Sequence, residues 1–327
     1  MPPSTEASAT LLVSGDLAIY ARDLRKSYGA VEAVRGVDLA VARGEVYALL
    51  GPNGAGKTTI VEILEGFRER SGGEAWVLGH NPARHERALK ERIGVVLQTT
   101  SAHPYLTVAE TIDLYRGFFP APRALDEILE VVGLEPQRAL RVRKLSGGQQ
   151  RRLDVAIGLA GDPELLFLDE PTTGFDPSAR RNAWELVRNL RALGATVLLT
   201  THYMDEAEQL ADRVGVIVEG RIVAEGAPAE LIGRHTATAI RFRLPAGAPA
   251  LPPRLGATID GEDRRSAVST EAPTQVLYEL TQWATEHAVE LGELTVTRAS
   301  LEDVYLELTG GAGSGRDAAD DGVRAGA

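Results

Sequence analysis

Gly51-Pro52-Asn53-Gly54-Ala55-Gly56-Lys57-Thr58, continued by Thr59, satisfies the pattern GxxxxGK[ST] at every fixed position. Glycines so placed let successive backbone N–H groups curl around phosphate oxygens, and a helix that follows turns its positive end toward them. Lys57 then reaches the β- and γ-phosphates, and Thr58 supplies a magnesium ligand. A second candidate is Leu168-Asp169-Glu170, at the end of an apolar run. A carboxylate at the end of a buried strand beside a phosphate loop can hold magnesium through water, the part assigned to Asp169. Glu170 comes next and faces the γ-phosphate side, where it can polarise an attacking water; a carboxylate that only starts a turn or helix would look the same. The third candidate, Leu145-Ser146-Gly147-Gly148-Gln149, opens a helix whose apolar face is Leu153, Ala156, Ile157 and Ala160. Serine and two glycines at a helix N-terminus make a second anion site, although a plain capping turn uses the same residues. Taken alone, the first loop serves kinases, GTPases and many ATPases equally well.

These residues must be positioned by an alternation of strands and helices. Val46 to Leu50 is a short apolar run before the glycine-rich loop, and Ile60, Ile63, Leu64 and Phe67 follow at helical spacing. Further buried strands are predicted at Ile93 to Leu97, Leu165 to Leu168 and Val197 to Thr200, continuous as expected where both faces of a parallel sheet are covered. From about Thr99 to Gly161 the apolar spacing is helical, which predicts an inserted helical subdomain. Ser178 to Leu193 and Tyr203 to Ala211 read as helices after the last two core strands, and Glu225-Gly226-Ala227-Pro228 as a turn that starts a short helix. The pattern changes near His235. Ile240, Phe242 and Leu244 alternate with Arg241 and Arg243 as in a half-buried strand; Val276, Leu277, Leu280, Trp283 and Ala284 repeat as in a helix. Ser300 and Asp303 form an S-x-x-D capping signal before Leu301, Val304, Tyr305 and Leu308.

Composition narrows the classes. The 327 residues are 44% hydrophobic and 25% charged, the proportions of a globular protein with a sizeable core. A formal net charge of -11 argues against broad attraction to nucleic acid or anionic lipid, so membrane contact is expected only through another protein. The absence of cysteine excludes disulfides, thiolate catalysis and cysteine-ligated zinc. No apolar stretch approaches the roughly 20 residues that a spanning helix needs. Met1 to Gly15, rich in Pro, Ser, Ala and Thr, lacks the basic start and apolar block of a secretory signal.

With these motifs in this order, the chain resembles the nucleotide-binding domain of ATP-binding cassette proteins from Leu17 to about Gly233. In that family two domains sandwich two ATP molecules head to tail, so the resemblance implies that Ser146, Gly147, Gly148 and Gln149 meet ATP held by the partner's copy of the Lys57 loop. It implies further roles. Gln98 would contact magnesium and water and couple to the membrane domains, and Tyr28 would stack on adenine. Asp176, in Gly174-Phe175-Asp176-Pro177, would cross the dimer interface, where the family usually has Leu at the Phe175 position. His202 would contact the γ-phosphate. Within the family, Thr201-His202-Tyr203-Met204-Asp205-Glu206-Ala207-Glu208 and the ending Ser300-Leu301-Glu302-Asp303-Val304-Tyr305 resemble the drug-resistance and antibiotic-export subfamily typified by the daunorubicin exporter.

The expected fold is thus α/β: a phosphate-loop NTPase cassette domain with an inserted helical subdomain, plus a small C-terminal α+β domain. Residues 1–15 would be a flexible extension, 16–234 the ATP-binding domain with its helical subdomain at about 99–161, 235–309 the accessory domain and 310–327 a disordered tail. The expected function is an ATPase that uses ATP and Mg2+, forms a homodimer on ATP binding and drives a separate integral membrane permease from the cytoplasmic face, without nucleic acid. The competing expectation is a soluble non-transport cassette ATPase acting on ribosomes or DNA. Neither a second phosphate loop nor the heptads of a long coiled coil appear in the sequence to favour it.

Overall fold

The computed structural model describes residues 16–96, 102–175, 177–233, 238–245, 247–259, 265–298 and 300–308. Gln98, Asp176, the expected extension at 1–15 and the expected tail at 310–327 lie outside the described residues. The chain divides into two compact units, Met1–Pro228 and Ala229–Ala327.

The first unit opens with β1 (Leu17–Tyr28) and β2 (Val31–Ala42), an antiparallel hairpin. Then come β3 (Val46–Leu50), α1 (Lys57–Leu64), β4 (Gly72–Val77), α2 (Arg87–Lys90) and β5 (Ile93–Val96). Three helices follow, α3 (Val108–Arg116), α4 (Leu125–Val132) and α5 (Gly147–Gly158), before β6 (Leu165–Asp169). The unit continues through α6 (Pro177–Ala192), β7 (Thr196–Thr201), α7 (Met204–Leu210), β8 (Arg213–Val218) and β9 (Arg221–Gly226), after which α8 (Pro228–Gly233) begins.

Two sheets result. β2-β1-β4 is antiparallel; the larger sheet runs β5-β6-β7-β3-β8-β9, parallel except for β9. β3 and β7 are buried at every residue, which explains their unbroken apolar runs. One core joins Ile19, Leu24, Val41 and Val77 of the antiparallel sheet, Ile60 and Leu64 of α1, and Leu49, Phe167 and Leu198 of the larger sheet. Phe67 departs from the helical reading of its segment. Helix α1 stops at Leu64, Gly66 takes a positive φ of 81°, and Phe67 is left 69% exposed. Glu225 and Gly226, expected in a turn, close strand β9 instead, because β9 pairs along its length with β8.

Parallel register fixes what the site will contain. Leu50 lies opposite Thr201, and Asp169 opposite Thr200, so the carboxyl ends of β3, β7 and β6 form one row. In open α/β sheets this is the row beyond which ligands bind. Between β5 and β6 the named elements are helical, packed through Ile112, Ile128, Leu129, Val132 and Leu153. Thr107 caps α3 in a reciprocal pair with Glu110.

The second unit has a four-stranded antiparallel sheet ordered β11-β12-β10-β13, from β10 (Thr238–Arg243), β11 (Thr258–Ile259), β12 (Arg265–Thr270) and β13 (Gly292–Arg298). Helix α9 (Pro273–Glu286) supplies Leu280 and Trp283 to a core with Ile240, Phe242, Leu244 and Val268. The S-x-x-D signal opens α10 (Leu301–Leu308): Ser300 N–H and Oγ each bond Asp303 Oδ2, at 2.9 and 2.8 Å.

Helix α5, which carries Ser146 at its start, is seated on the sheet by glycine. A Cβ on Gly94 of β5 would stand 2.3 Å from the Gly158 carbonyl and 2.6 Å from Leu166 Cδ1. Gly94→Ala must push α5 off β5, at a cost of about 1–3 kcal/mol. The check is urea unfolding, where the variant's midpoint falls below that of the wild type with an unchanged slope.

Candidate functional site

The loop between β3 and α1 is a built cradle. Gly54 and Gly56 take φ of 80° and 105°, conformations that side chains with a Cβ adopt rarely. Cβ atoms at Gly51 and Gly56 would also collide with the carbonyls of Ile217 and Ala33, at 2.3 and 2.5 Å. The loop opens on a cleft of ≈ 390 Å³ lined by Asn53, Gly54, Gly56, Lys57, Thr58, Thr59 and Glu170 among others. Lys57 is only 4% exposed. Its ammonium donates to the carbonyls of Gly51 and Pro52 at 2.8 and 3.1 Å and stands 3.3 Å from Glu170 Oε1.

Four more groups converge at the end of the strand row. Thr58 Oγ1 lies 3.4 Å from Asp169 Oδ2, and Thr200 Oγ1 donates to Asp169 Oδ1 at 2.5 Å. Thr173 Oγ1 donates to Glu170 Oε2 at 3.0 Å, and His202 Nδ1 stands 3.5 Å from that same oxygen. Burial raises the Glu170 pKa, but the Lys57 charge, the hydrogen bonds from Thr173 and Lys57, and His202 outweigh it and hold the carboxyl below its ordinary value. Glu170 is therefore an ionised acceptor facing the cleft. Its backbone has φ of 44°, unusual for a residue with a side chain, and Thr200 Oγ1 accepts its N–H at 3.0 Å.

Among the described contacts, none joins Ser146 to Gln149 with the Lys57 loop of the same chain. Ser146 Oγ accepts from Gln149 N–H at 3.3 Å while Gln149 Oε1 accepts from Ser146 N–H at 2.9 Å, a capping box that fixes the helix start. Cβ atoms at Gly147 or Gly148 would meet nothing within 4 Å, so this helix end faces open space. Tyr28 ends β1, 41% exposed, with Lys26 Nζ and Arg68 Cζ each 5.2 Å from its ring centroid.

Two residues here were not anticipated from the sequence. Thr200 reads there as one more member of a strand run. Arg151, the first of two arginines on α5, is 8% exposed; its Nε donates to the Pro171 carbonyl at 3.1 Å and its Nη2 reaches the Asp169 carbonyl at 3.5 Å. The start of α5 is thereby tied to the turn that carries Glu170.

The family described as ABC transporter matches residues 34–173, and the family described as ABC transporter domain-containing protein-like, C-terminal domain, matches residues 238–300. The daunorubicin resistance ATP-binding protein DrrA3 of Streptomyces coeruleorubidus is 39% identical over 305 residues, covering 90% of this chain and 96% of that protein. The chain belongs to the family of ABC transporter ATP-binding proteins. The Nod factor export ATP-binding protein I of Ralstonia nicotianae is 37% identical over 318 residues, 94% of this cassette chain and 97% of that one. Among solved structures, cbiO1 from Clostridium perfringens, part of the ABC transporter complex cbiONQ, superposes with a TM-score of 0.61 at 29% identity, covering 67% of this chain and 91% of that one. The cassette MJ0796, a dimer in a post-hydrolysis state bound to ADP and phosphate, gives a TM-score of 0.57 at 25% identity, covering 64% of this chain and 98% of that one. The first unit is thus a phosphate-loop NTPase fold of the nucleotide-binding cassette kind. No described helix is long and apolar enough to cross a membrane.

One carboxylate behind the site gives a stability test. Glu65, 4% exposed at the C-terminal end of α1, has its pKa pushed up to about 8 by burial first and then by the charges of Asp169 and Glu62. Between its ordinary value of 4.5 and about 8 the unfolded chain has released this proton while the folded chain keeps it. Stability therefore falls as pH rises through that window and levels off above it. Glu65→Gln abolishes this loss, so its stability relative to wild type is expected to climb from pH 5 to pH 8 in paired urea titrations. A constant difference across that range would show that Glu65 is ionised throughout.

Proposed function

We propose that this chain is the ATP-hydrolysing subunit of an exporter, working as a homodimer closed around two ATP molecules and attached to the cytoplasmic face of the membrane through a separate permease. The observation that carries the hydrolytic part is the ionised Glu170 carboxylate held at the mouth of the Lys57 cradle. In this reading, backbone N–H groups of Gly54 to Thr59 and the Lys57 ammonium take the β- and γ-phosphates, and Tyr28 offers its exposed ring to the adenine. Glu170 accepts a proton from the attacking water, and His202 beside it orients the γ-phosphate. The hydroxyl of Thr58 and the carboxylate of Asp169 are hard oxygen donors 3.4 Å apart, a pair that would suit Mg2+. When bound, that ion would neutralise charge on the β- and γ-phosphates.

The half-site at Ser146 to Gln149 supports the dimer. It is capped, open to space and, among the described contacts, without one to its own chain's loop, as a surface that serves a second copy's ATP should be. Gln98 and Asp176 keep their proposed parts in magnesium contact and interface crossing on resemblance alone. Export, and a drug, antibiotic or other hydrophobic cargo, are supported by likeness along nine-tenths of the chain to ATP-binding proteins named for daunorubicin resistance.

Glu170→Gln is expected to lower turnover by about 10² to 10⁴ and to elute as a dimer with saturating ATP in size-exclusion chromatography. A variant that stays monomeric would remove the sandwich. Lys57→Ala should abolish ATP turnover in a phosphate-release assay, and full activity would remove the cradle assignment. Tagged Glu170→Gln protein, purified from native membranes with ATP, should bring down one polytopic permease by mass spectrometry. Ribosomal proteins in its place would favour a non-transport cassette.

A further inference from the structure

Strand β7 runs between the strand that feeds the phosphate loop and the strand that ends in the carboxylates. Its last two residues are both threonine, and their hydroxyls do different things. Thr201 Oγ1 accepts the N–H of Tyr203 at 2.9 Å and so shapes the turn that holds His202. Thr200, with no exposed surface, turns its hydroxyl to the neighbouring strand. It donates to Asp169 Oδ1 at 2.5 Å and accepts the Glu170 N–H at 3.0 Å.

A hydroxyl has one proton to give and two lone pairs to accept with, so both bonds are satisfied by a single atom at once. The first bond engages Asp169 Oδ1 and leaves Oδ2 as the oxygen that faces Thr58 Oγ1, itself a residue of the cleft wall. The second holds the peptide of Glu170 in a left-handed conformation that β6 could not simply continue into. Residues kept in such sparsely populated conformations persist only where the surroundings over-determine them.

We propose that Thr200 is a positioning residue for this ATPase, setting the orientation of the Asp169 carboxylate and the backbone of Glu170 through one shared hydroxyl. The proposal rests on the hydrolytic reading of Asp169 and Glu170 given above. Thr200→Val preserves shape and β-branching while removing the hydroxyl, and Thr200→Ser returns the hydroxyl without the methyl. The other hydroxyl at this end of β7, that of Thr201, is engaged at Tyr203.

The test uses the purified full chain in wild-type, Thr200→Val, Thr200→Ser and Glu170→Gln forms. Steady-state turnover is measured against ATP and against Mg2+, and affinity for a fluorescent ATP analogue is measured in EDTA and in Mg2+. Thr200→Val is expected to lower kcat by about 10- to 100-fold, the usual effect of losing a partner that orients a metal ligand. It should raise the Mg2+ concentration for half-maximal rate and shrink the gain in analogue affinity that Mg2+ brings, while affinity in EDTA stays at the wild-type value. Thr200→Ser should recover most of the rate. Wild-type kcat and Mg2+ dependence in Thr200→Val would overturn the proposal. So would loss of analogue binding in EDTA, the mark of a merely structural role, or a Thr200→Ser enzyme no better than Thr200→Val. Unimpaired turnover in Glu170→Gln would overturn the hydrolytic reading itself, whereas loss there beside a normal Thr200→Val enzyme would overturn the Thr200 proposal alone.

Discussion

A lysine ammonium 4% exposed cannot be left without partners, and the site is organised around that constraint. Lys57 meets it from within, through the Gly51 and Pro52 carbonyls and the Glu170 carboxylate. The charge is thus compensated before any anion arrives. A phosphate would compete with Glu170 for the same cation, and each oxygen that replaced the carboxylate would free it to face water. Binding and release of the proposed base would in this way be one exchange of partners.

That exchange depends on distances set by strand order. Because β7 separates β3 from β6, the lysine loop and the carboxylate turn are two strands apart, and they meet only because side chains lean across the end of β7. The short polar residues at that end occupy the gap: Thr200 and Thr201 with their hydroxyl bonds, and His202 beyond them. Arg151 adds to the arrangement by holding the carbonyls of Asp169 and Pro171. The turn around Glu170, with its unusual φ, is consequently anchored both by a neighbouring strand and by helix α5.

The strands that carry the site were readable because burial on both faces leaves long apolar runs, as in Val46 to Leu50 and Leu165 to Leu168. The helical stretch between β5 and β6 was readable from spacing and from caps such as the one at Ser146. The antiparallel sheet was not. In β1 the pairing with β2 shifts register between Ala21 and Leu24, where Arg22 and Asp23 are exposed and Asp23 has φ of 47°, so the alternation that marks a half-buried strand is broken. β8 and β9 were also missed; β9 has no fully buried residue, hence no apolar signature. Thr200 and Arg151 escaped for a related reason. A threonine in a strand and an arginine on a helix are ordinary there, and only the strand order shows which atoms they face.

The close approach of Gly94 to Gly158 fixes one end of α5, while the other end, at Ser146, opens to space. Helix α5 is thus held at two places, by the glycine contact at β5 and by Arg151 about one turn in from Ser146, and only its first residues reach into open space. Its twelve residues span roughly 18 Å at about 1.5 Å per residue, so a tilt of roughly 10° about the glycine contact would carry Ser146 by about 3 Å. A hydrogen bond is made or lost over a smaller distance than that. A tilt of that size would be enough to make or lose a contact at Ser146, and the bonds of Arg151 to the Pro171 and Asp169 carbonyls would couple it to the Glu170 turn.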